Sequence, residues 1–373
     1  MSRSEGPRKA SDRRSAAEAE CALCHGAGRP VAGVIGVCAE CLVHRASETI
    51  PLCEAAHRAS RSAFGLPGNP PRATDGVRCV LCSNECVIPE GDRGFCGLRA
   101  NREGRLRHLA GTPSQGLLHW YRDALPTNCV ADWVCEGHAQ WGCHNLAVFY
   151  ASCTADCLFC QNWHFREISP ADVRMTTAEE LASAANSRTF CACFFGGDPS
   201  SQMPHALAAS RILAQRGVRI CWETNGMMHP RFLDAALEVT AATQGYIKFD
   251  LKAFDDSLHR ALCGVSNRRA LENFERAARR IEEKARNPLV VASTLLVPGY
   301  VEAEQVAKIA GFIATLNPDI PYALLAFAPH FRMSDLPFTS VEQALTAEAA
   351  AREAGLHHVR IGNQHLLTSG RLR

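Results

Sequence analysis

From about residue 145 onward the chain alternates short apolar runs with amphipathic stretches. The apolar runs sit near 146–150, 190–195, 218–222, 245–251, 289–297, 321–327 and 357–361. Each has the length of a strand, and most are separated by segments whose apolar positions recur at helical spacing. Helix starts are marked as well: Thr176-Thr177-Ala178-Glu179-Glu180 reads as a capped start, Pro230 fits a first-turn proline, and Ser340-Val341-Glu342-Gln343 reads as a capping box. Strands alternating with helices imply an α/β fold with a parallel sheet and right-handed crossovers. This many units predict an open or partial (β/α) barrel, whose functional groups collect where the strands end and the βα loops converge.

The N-terminal part reads differently. Residues 1–20 are basic, polar and small, and predict a loose, disordered tail. Residues 21–100 are rich in Cys, Gly and Pro and show little helical or strand periodicity. Such a stretch cannot bury enough apolar surface alone, so metal cross-links are expected to stabilise it. Leu66-Pro67-Gly68-Asn69-Pro70-Pro71 divides it as a turn-rich linker. The expected organisation is a tail over 1–20, a four-cysteine knot over 21–65, a cysteine-rich extension over 72–144 and an α/β domain over 145–365.

Composition narrows the class. The formal net charge of +2 implies no polyanionic partner, and aromatic and basic residues are little interleaved, which argues against nucleic acid. The chain shows no signal-peptide core and no apolar run long enough to span a bilayer, so a cytoplasmic location is expected. Nineteen cysteines in a reducing compartment point to metal or cluster ligation rather than disulfides.

The chemistry concentrates at strand ends. Directly after the 146–150 run comes Cys153-Thr154-Ala155-Asp156-Cys157-Leu158-Phe159-Cys160. Three thiolates so spaced can hold three irons of a [4Fe–4S] cluster and leave a fourth iron open; a closed four-cysteine set would continue with another nearby cysteine, but Gln161-Asn162-Trp163 follows. A zinc knot is the plainer alternative. The second run ends in Gly196-Gly197-Asp198-Pro199, where glycines let a ligand approach the backbone. Later strand ends carry Glu223-Thr224-Asn225-Gly226, Asp250-Leu251-Lys252, Val297-Pro298-Gly299 and Ala328-Pro329-His330. Asp250 and Lys252 share a strand face, and a charged pair there either binds something or forms a structural ion pair.

Three further cysteine groups precede this region. Cys21-x2-Cys24 and Cys38-x2-Cys41 fit a tetrahedral four-thiolate site for zinc or a rubredoxin-like iron, with His25 and His44 near enough to substitute. Cys79-x2-Cys82-x3-Cys86, followed by Cys96, fits an auxiliary [4Fe–4S] cluster or a structural metal site. Cys129, Cys135 and Cys143 are irregularly spaced and could complete a site with Cys53, His138 or His144. Cys191, Cys193 and Cys221 read as packed core thiols, with Cys263 a loop exception.

Taken together, Cys153, Cys157 and Cys160, the Gly-Gly-Asp-Pro turn, Thr224-Asn225-Gly226, Asp250-Leu251-Lys252, Leu262-Cys263-Gly264-Val265-Ser266-Asn267 and Val297-Pro298-Gly299 resemble the radical S-adenosylmethionine (SAM) superfamily. The likeness is to the pyruvate formate-lyase (glycyl-radical) activating enzyme group, over roughly half the chain. The Cys79–Arg99 segment resembles the N-terminal region of the AmmeMemo-associated radical SAM proteins. The resemblance implies a partial (β/α)6-type barrel and a [4Fe–4S] cluster on Cys153, Cys157 and Cys160, with SAM chelating the open iron. It places Gly196 and Gly197 against the SAM amino group, with Asp198 where the family has a glutamate. Glu223 and Thr224, followed by Asn225, match a cation-binding strand end beside SAM; Asp250 and Lys252 join that shell and His330 approaches the ribose. An arginine often found upstream of the Val-Pro-Gly turn is replaced by Ser293 and Thr294. The implied activity is that of an oxidoreductase. One electron from the cluster cleaves SAM to methionine and a 5′-deoxyadenosyl radical, which abstracts hydrogen from a glycyl radical protein, another peptide or a small molecule. A flavodoxin or ferredoxin would donate the electron. The competing readings are a non-catalytic iron–sulfur electron carrier, a zinc-bearing interaction protein and a nucleic-acid-modifying radical enzyme.

Overall fold

A computed structural model describes residues 20–26, 28–127, 129–281 and 288–369. The loose tail expected over 1–20 lies outside the described residues apart from Glu20.

The C-terminal part is one sheet with helices on its face. Strand β5 (Leu118–Ala124) opens it, followed by β6 (His144–Tyr150), β7 (Thr189–Gly196), β8 (Arg219–Thr224), β9 (Ile247–Asp250), β10 (Val290–Leu296), β11 (Tyr322–Ala326) and β12 (Val359–Gly362). The spatial order is the sequence order from β5 to β12. β6 to β12 are parallel, and only β5 runs antiparallel, on the outer edge of β6. Among the described residues β5 and β12 do not pair, so the barrel is open. All seven apolar runs became the parallel strands, one more than a (β/α)6 count, and β5 joins them from the expected extension.

Helices α3 (Ala178–Ser183), α4 (Met203–Gln215), α5 (Pro230–Thr243), α6 (Asp256–Cys263), α7 (Arg268–Ala278), α8 (Ala303–Leu316) and α9 (Val341–Glu353) connect the strands. Thr177 caps α3 in a reciprocal box with Glu180, and Pro230 is the first residue of α5. Ser340 caps α9 by accepting from the Gln343 N–H at 3.0 Å, but the Gln343 side chain goes to the Val301 carbonyl, so the box is half made. Alternate strand residues such as Leu146, Val148, Phe194, Trp222, Phe249 and Leu324 bury against these helices as the main core. Burial at about 25 cal/mol per Å² makes this face the chief source of stability.

The N-terminal part has α1 (Ala39–His44), α2 (Ala46–Ser62) and two short antiparallel pairs, β1 (Val77–Arg78) with β2 (Val87–Ile88), and β3 (Arg99–Arg102) with β4 (Arg105–His108). The 17-residue α2 corrects the expectation of little helical structure in this stretch. Its buried face is Thr49, Cys53, Ala56, His57, Ser60 and Arg61, mostly polar, so a hydropathy pattern does not register it, and Pro51 sits inside it. Tyr300, beyond β10, takes the Ala32 N–H at 2.9 Å and donates to the Val37 carbonyl at 3.1 Å, locking the knot onto the α/β part. No helix among the described residues is long and apolar enough to cross a membrane.

Candidate active site

The sheet face opposite the helices lines a cavity of about 400 Å³ at the C-terminal strand ends. Strand alternation puts Asn145 and Ala147 of β6, Glu223 of β8, Lys248 and Asp250 of β9, and Ser293 and Leu295 of β10 on its wall. Cys153, Cys157 and Cys160 line the same cavity from the loop after β6.

That loop is held from two sides. Backbone N–H groups of Asp156 and Leu158 donate to the carbonyls of Cys263 and Leu262 at the end of α6, at 2.8 and 2.9 Å. The Asp156 side chain points the other way, fully buried, toward α2: His57 lies at 2.9 Å, Ser60 at 3.5 Å and Arg61 at 3.8 Å. Arg166 donates to the same carboxylate at 3.0 Å. Against the burial of Asp156, the hydrogen bond with His57 and the charges of Arg166 and Arg61 hold its carboxyl below the usual range.

Arg166 also faces the cavity, and its Nε and Nη1 are buried without a hydrogen-bond partner. Burial works against its charge, but Cys160 and Asp156 outweigh it and its pKa lies above the ordinary value. Three thiols on one loop beside a partly unpaired guanidinium fit the donor set that an anionic iron–sulfur group with one open iron requires. In the absence of metal, burial pushes the Cys153 and Cys160 thiols up, and the Cys157 thiol is raised first by Cys263, then by burial. Cys263 is buried, with its sulfur 3.6 Å from that of Cys157; the sequence placed it in a loop, and only the packing of α6 on the cysteine loop reveals the contact.

The Gly196-Gly197 turn forms a cradle. Gly196 has φ of +109°, and a Cβ there would lie 2.5 Å from the Tyr150 nitrogen; one at Gly197 would lie 2.2 Å from the Ser152 carbonyl oxygen. Both positions therefore need glycine, and both line the cavity. The Asp198 carboxylate is buried and turned into its own loop. It accepts from the backbone of Ser200 and Asn225, both at 2.6 Å, and from the Thr224 hydroxyl at 3.1 Å. Burial raises its pKa against these donors. Asp198 thus ties the end of β7 to the end of β8, and Thr224 faces this knot rather than the cavity.

Asn225 lines the cavity and reaches toward Cys153 and Thr154, 3.0 Å from the Thr154 hydroxyl. Below it lies an alternating charged chain. Lys248 sits 3.2 Å from Glu223 and 2.7 Å from Asp250, and Lys252 sits 3.4 Å from Asp250. Despite burial, the two lysines hold Asp250 far below the carboxylate range, and Asp250 keeps both lysines charged. Lys248 escaped the sequence reading although it shares the period-two face of Asp250 and Lys252. Ser293, at the place of the expected arginine, donates to Asp250 at 2.8 Å, whereas Thr294 donates to the Leu251 carbonyl in the core. His330 is exposed on the cavity rim.

Eight of the N-terminal cysteines gather in two places. Cys21, Cys24, Cys38 and Cys41 form, among the described residues, the one set of three or more candidate ligands whose ligand atoms all lie within 4.8 Å of one another. The Cys21–Cys41 and Cys24–Cys38 sulfur separations are both 3.8 Å. A tetrahedral ion with metal–sulfur bonds of about 2.3 Å spaces its thiolates at roughly 3.8 Å, so the set fits one ion. Burial raises the Cys21 thiol, but backbone N–H groups of Cys24, Cys38 and Leu23 bring it down to about 6; burial pushes Cys41 up to about 12. His25 pairs with Glu20 instead. Cys79, Cys82, Cys86 and Cys96 line one small void at the foot of β1 and β2.

Cys129 and Cys135 pack with Cys191, Cys193 and Cys221 across the barrel interior, while Cys53 lies in the N-terminal core, so Cys53 does not complete a site with Cys129 and Cys135.

Residues 147–313 match the family model of the radical SAM superfamily. The chain is 28% identical to an uncharacterized protein of Methanocaldococcus jannaschii over 77% of this chain and 81% of that protein. It is 31% identical to an isethionate sulfite-lyase activating enzyme of Oleidesulfovibrio alaskensis over 40% of this chain and 44% of the enzyme. It is 27% identical to the pyruvate formate-lyase 1-activating enzyme of Escherichia coli over 44% of this chain and 65% of the enzyme. The chain thus spans less than two thirds of the activating enzymes it matches. Three cavity-lining cysteines on the loop after β6 lie inside the segment that matches the radical SAM superfamily, and the chain has glycyl-radical activating enzymes among its relatives.

Proposed function

We propose that this protein is a radical SAM enzyme that abstracts a hydrogen atom from a protein or peptide substrate, in the manner of a glycyl-radical activating enzyme. The observation that carries the reading is a convergence: the three cysteines, the Gly196-Gly197 cradle and the Glu223–Lys248–Asp250–Lys252 chain all face one cavity of about 400 Å³. An electron carrier has no need of such a cavity. The preference for a protein substrate rests on the relatives whose names record activation of pyruvate formate-lyase and isethionate sulfite-lyase.

When bound, the cluster and SAM together supply reductive cleavage of the C5′–S bond, giving methionine and a 5′-deoxyadenosyl radical able to take a hydrogen atom. The chain's own part is to bind, orient and shield. Cys153, Cys157 and Cys160 would hold the cluster and leave one iron open. The Gly196-Gly197 backbone would receive the amino-acid end of SAM, held close against β6 because a Cβ at either position would strike the backbone of Tyr150 or Ser152. The charged chain on β8 and β9 would hold polar groups in place, each charge already paired so that none must be desolvated anew.

The test is anaerobic reconstitution with iron and sulfide, reduction, addition of SAM and chromatography for 5′-deoxyadenosine. The parent should form the nucleoside and a Cys153→Ala, Cys157→Ala, Cys160→Ala variant should not. A reduced, intact cluster that forms none, alone or with cell extract supplying substrate, would favour the electron-carrier reading.

A further inference from the structure

We propose that Cys79, Cys82, Cys86 and Cys96 hold a second [4Fe–4S] cluster, closed by four thiolates, against the loop that carries Cys153, Cys157 and Cys160. The inference stands on the site's own geometry and does not depend on SAM cleavage.

The four thiols come from two short segments and line one void. Three of them are buried at 8% exposure or less. They are absent from the sets whose ligand atoms all lie within 4.8 Å, whereas Cys21, Cys24, Cys38 and Cys41 meet that spacing. Four thiols gathered around a void yet spread more widely than one tetrahedral ion requires fit a polynuclear cluster better than zinc.

Arg99 supplies the second, independent observation. It lines the same void and is 1% exposed. Its three hydrogen bonds go to neutral carbonyls, those of Leu98 at 2.8 Å, Ala110 at 2.7 Å and Ser201 at 3.0 Å. Its Nε has no partner. The void is lined by no carboxylate. A buried cation without a counter-charge is costly, and an anionic thiolate-bound cluster is the group that would neutralise it. The Phe95 N–H already points at the Cys86 sulfur, at 3.4 Å, as backbone donors do around cluster thiolates.

The site abuts the first cysteine loop. Ser152 donates to the Cys96 carbonyl at 2.9 Å, and the Asn84 side chain donates to the Thr154 carbonyl at 2.8 Å. Cys96 packs in the same apolar cluster as Cys153 and Cys160. With all four irons held by thiolates, the second cluster would bind no substrate and would serve electron transfer.

The test uses the full chain, reconstituted anaerobically with ferrous iron and sulfide, and counts acid-labile sulfide, which a mononuclear site does not contribute. The Cys153→Ala, Cys157→Ala, Cys160→Ala variant should keep about four sulfides per chain and, when reduced, give a paramagnetic resonance signal that SAM does not alter. The reverse subtraction guards against misfolding of that variant: Cys79→Ser with Cys82→Ser in the otherwise unchanged chain should lower the sulfide from about eight to about four. Absence of labile sulfide in the triple variant, zinc bound there in place of iron, or a sulfide content untouched by the double substitution would overturn the proposal. None of these counts requires the chain to cleave SAM.

Discussion

The Nδ1 atom of His57 lies 2.9 Å from Oδ2 of Asp156, in a contact where both side chains are almost wholly buried. His57 belongs to α2 of the N-terminal part and Asp156 sits between two of the three cavity cysteines, so the contact binds one region to the geometry of the other. Arg61 and Arg166 converge on the same carboxylate. Removing one member of such a buried set leaves uncompensated charge, which costs about 3–5 kcal/mol. Asp156→Ala should therefore lower unfolding stability by about that amount and speed loss of the cluster. Denaturant unfolding, together with the decay of cluster absorbance under a chelator, checks both. A variant as stable as the parent would show that α2 does not brace the cysteine loop.

Arg166 has spent only part of its donor capacity: one nitrogen meets Asp156, while Nε and Nη1 are buried without a hydrogen-bond partner. A cation beside an iron–sulfur cluster favours its reduced, more negative state, so Arg166→Met should shift the reduction potential of the first cluster downward and Arg166→Lys should shift it less. Because Asp156 would also lose a partner, stability should fall alongside. A potentiometric titration followed by paramagnetic resonance separates the two effects, and an unchanged potential in Arg166→Met would rule out the electrostatic role.

Lys248 bridges Glu223 and Asp250 from a position that is 4% exposed. Lys248→Met would leave two carboxylates facing each other, although Asp250 retains Lys252 and Ser293. A cost near the lower end for a broken buried pair, about 3 kcal/mol, is expected. Restoring neutrality by adding Glu223→Gln should recover part of that loss. A double-mutant cycle in chemical denaturation measures the coupling, and strictly additive losses would mean the charges do not act as a unit.

The strands were legible because each is a short apolar run, most of them separated by stretches of helical spacing, and the cavity cysteines because their spacing lies on one loop. Glycines 196 and 197 could be read for the same reason: their position at a strand end leaves few roles open. The contacts that hold the site were not legible. His57, Ser60 and Arg61 lie about a hundred residues before Asp156 and form a polar helical face, so hydropathy gives no sign of their burial. Asp198 stands by resemblance where the family has a glutamate, but its hydrogen bonds with Ser200, Thr224 and Asn225 depend on β7 and β8 being neighbours. Arg166 and Arg99 are single basic residues along the chain, and only three-dimensional packing buries both, Arg166 beside the Asp156 carboxylate and Arg99 in a void lined by no carboxylate.

His259 offers a pH test of how α6 holds the cysteine loop. It is fully buried in α6, its Nδ1–H donating to the Val265 carbonyl at 2.7 Å, and burial pushes its pKa down to about 4. An unfolded histidine titrates near 6.5, so between about pH 6.5 and pH 4 the unfolded chain binds a proton that the folded chain does not. Stability from this group is therefore fully present above about pH 6.5 and declines as pH falls through that window. The slope approaches about 1.4 kcal/mol per pH unit, to a total of roughly 3 kcal/mol. His259→Asn keeps a donor near the Nδ1 position but has nothing to titrate. Its unfolding free energy, measured anaerobically against the parent at several pH values, should show a shallower decline below pH 6.5, the two curves converging or crossing as acid is added. Acid lability of the cluster affects parent and variant alike and cancels in the difference. Parallel curves across the window would mean that His259 is protonated without opening α6, and that the Val265 contact does not anchor the helix end whose Cys263 and Leu262 carbonyls hold the cysteine loop.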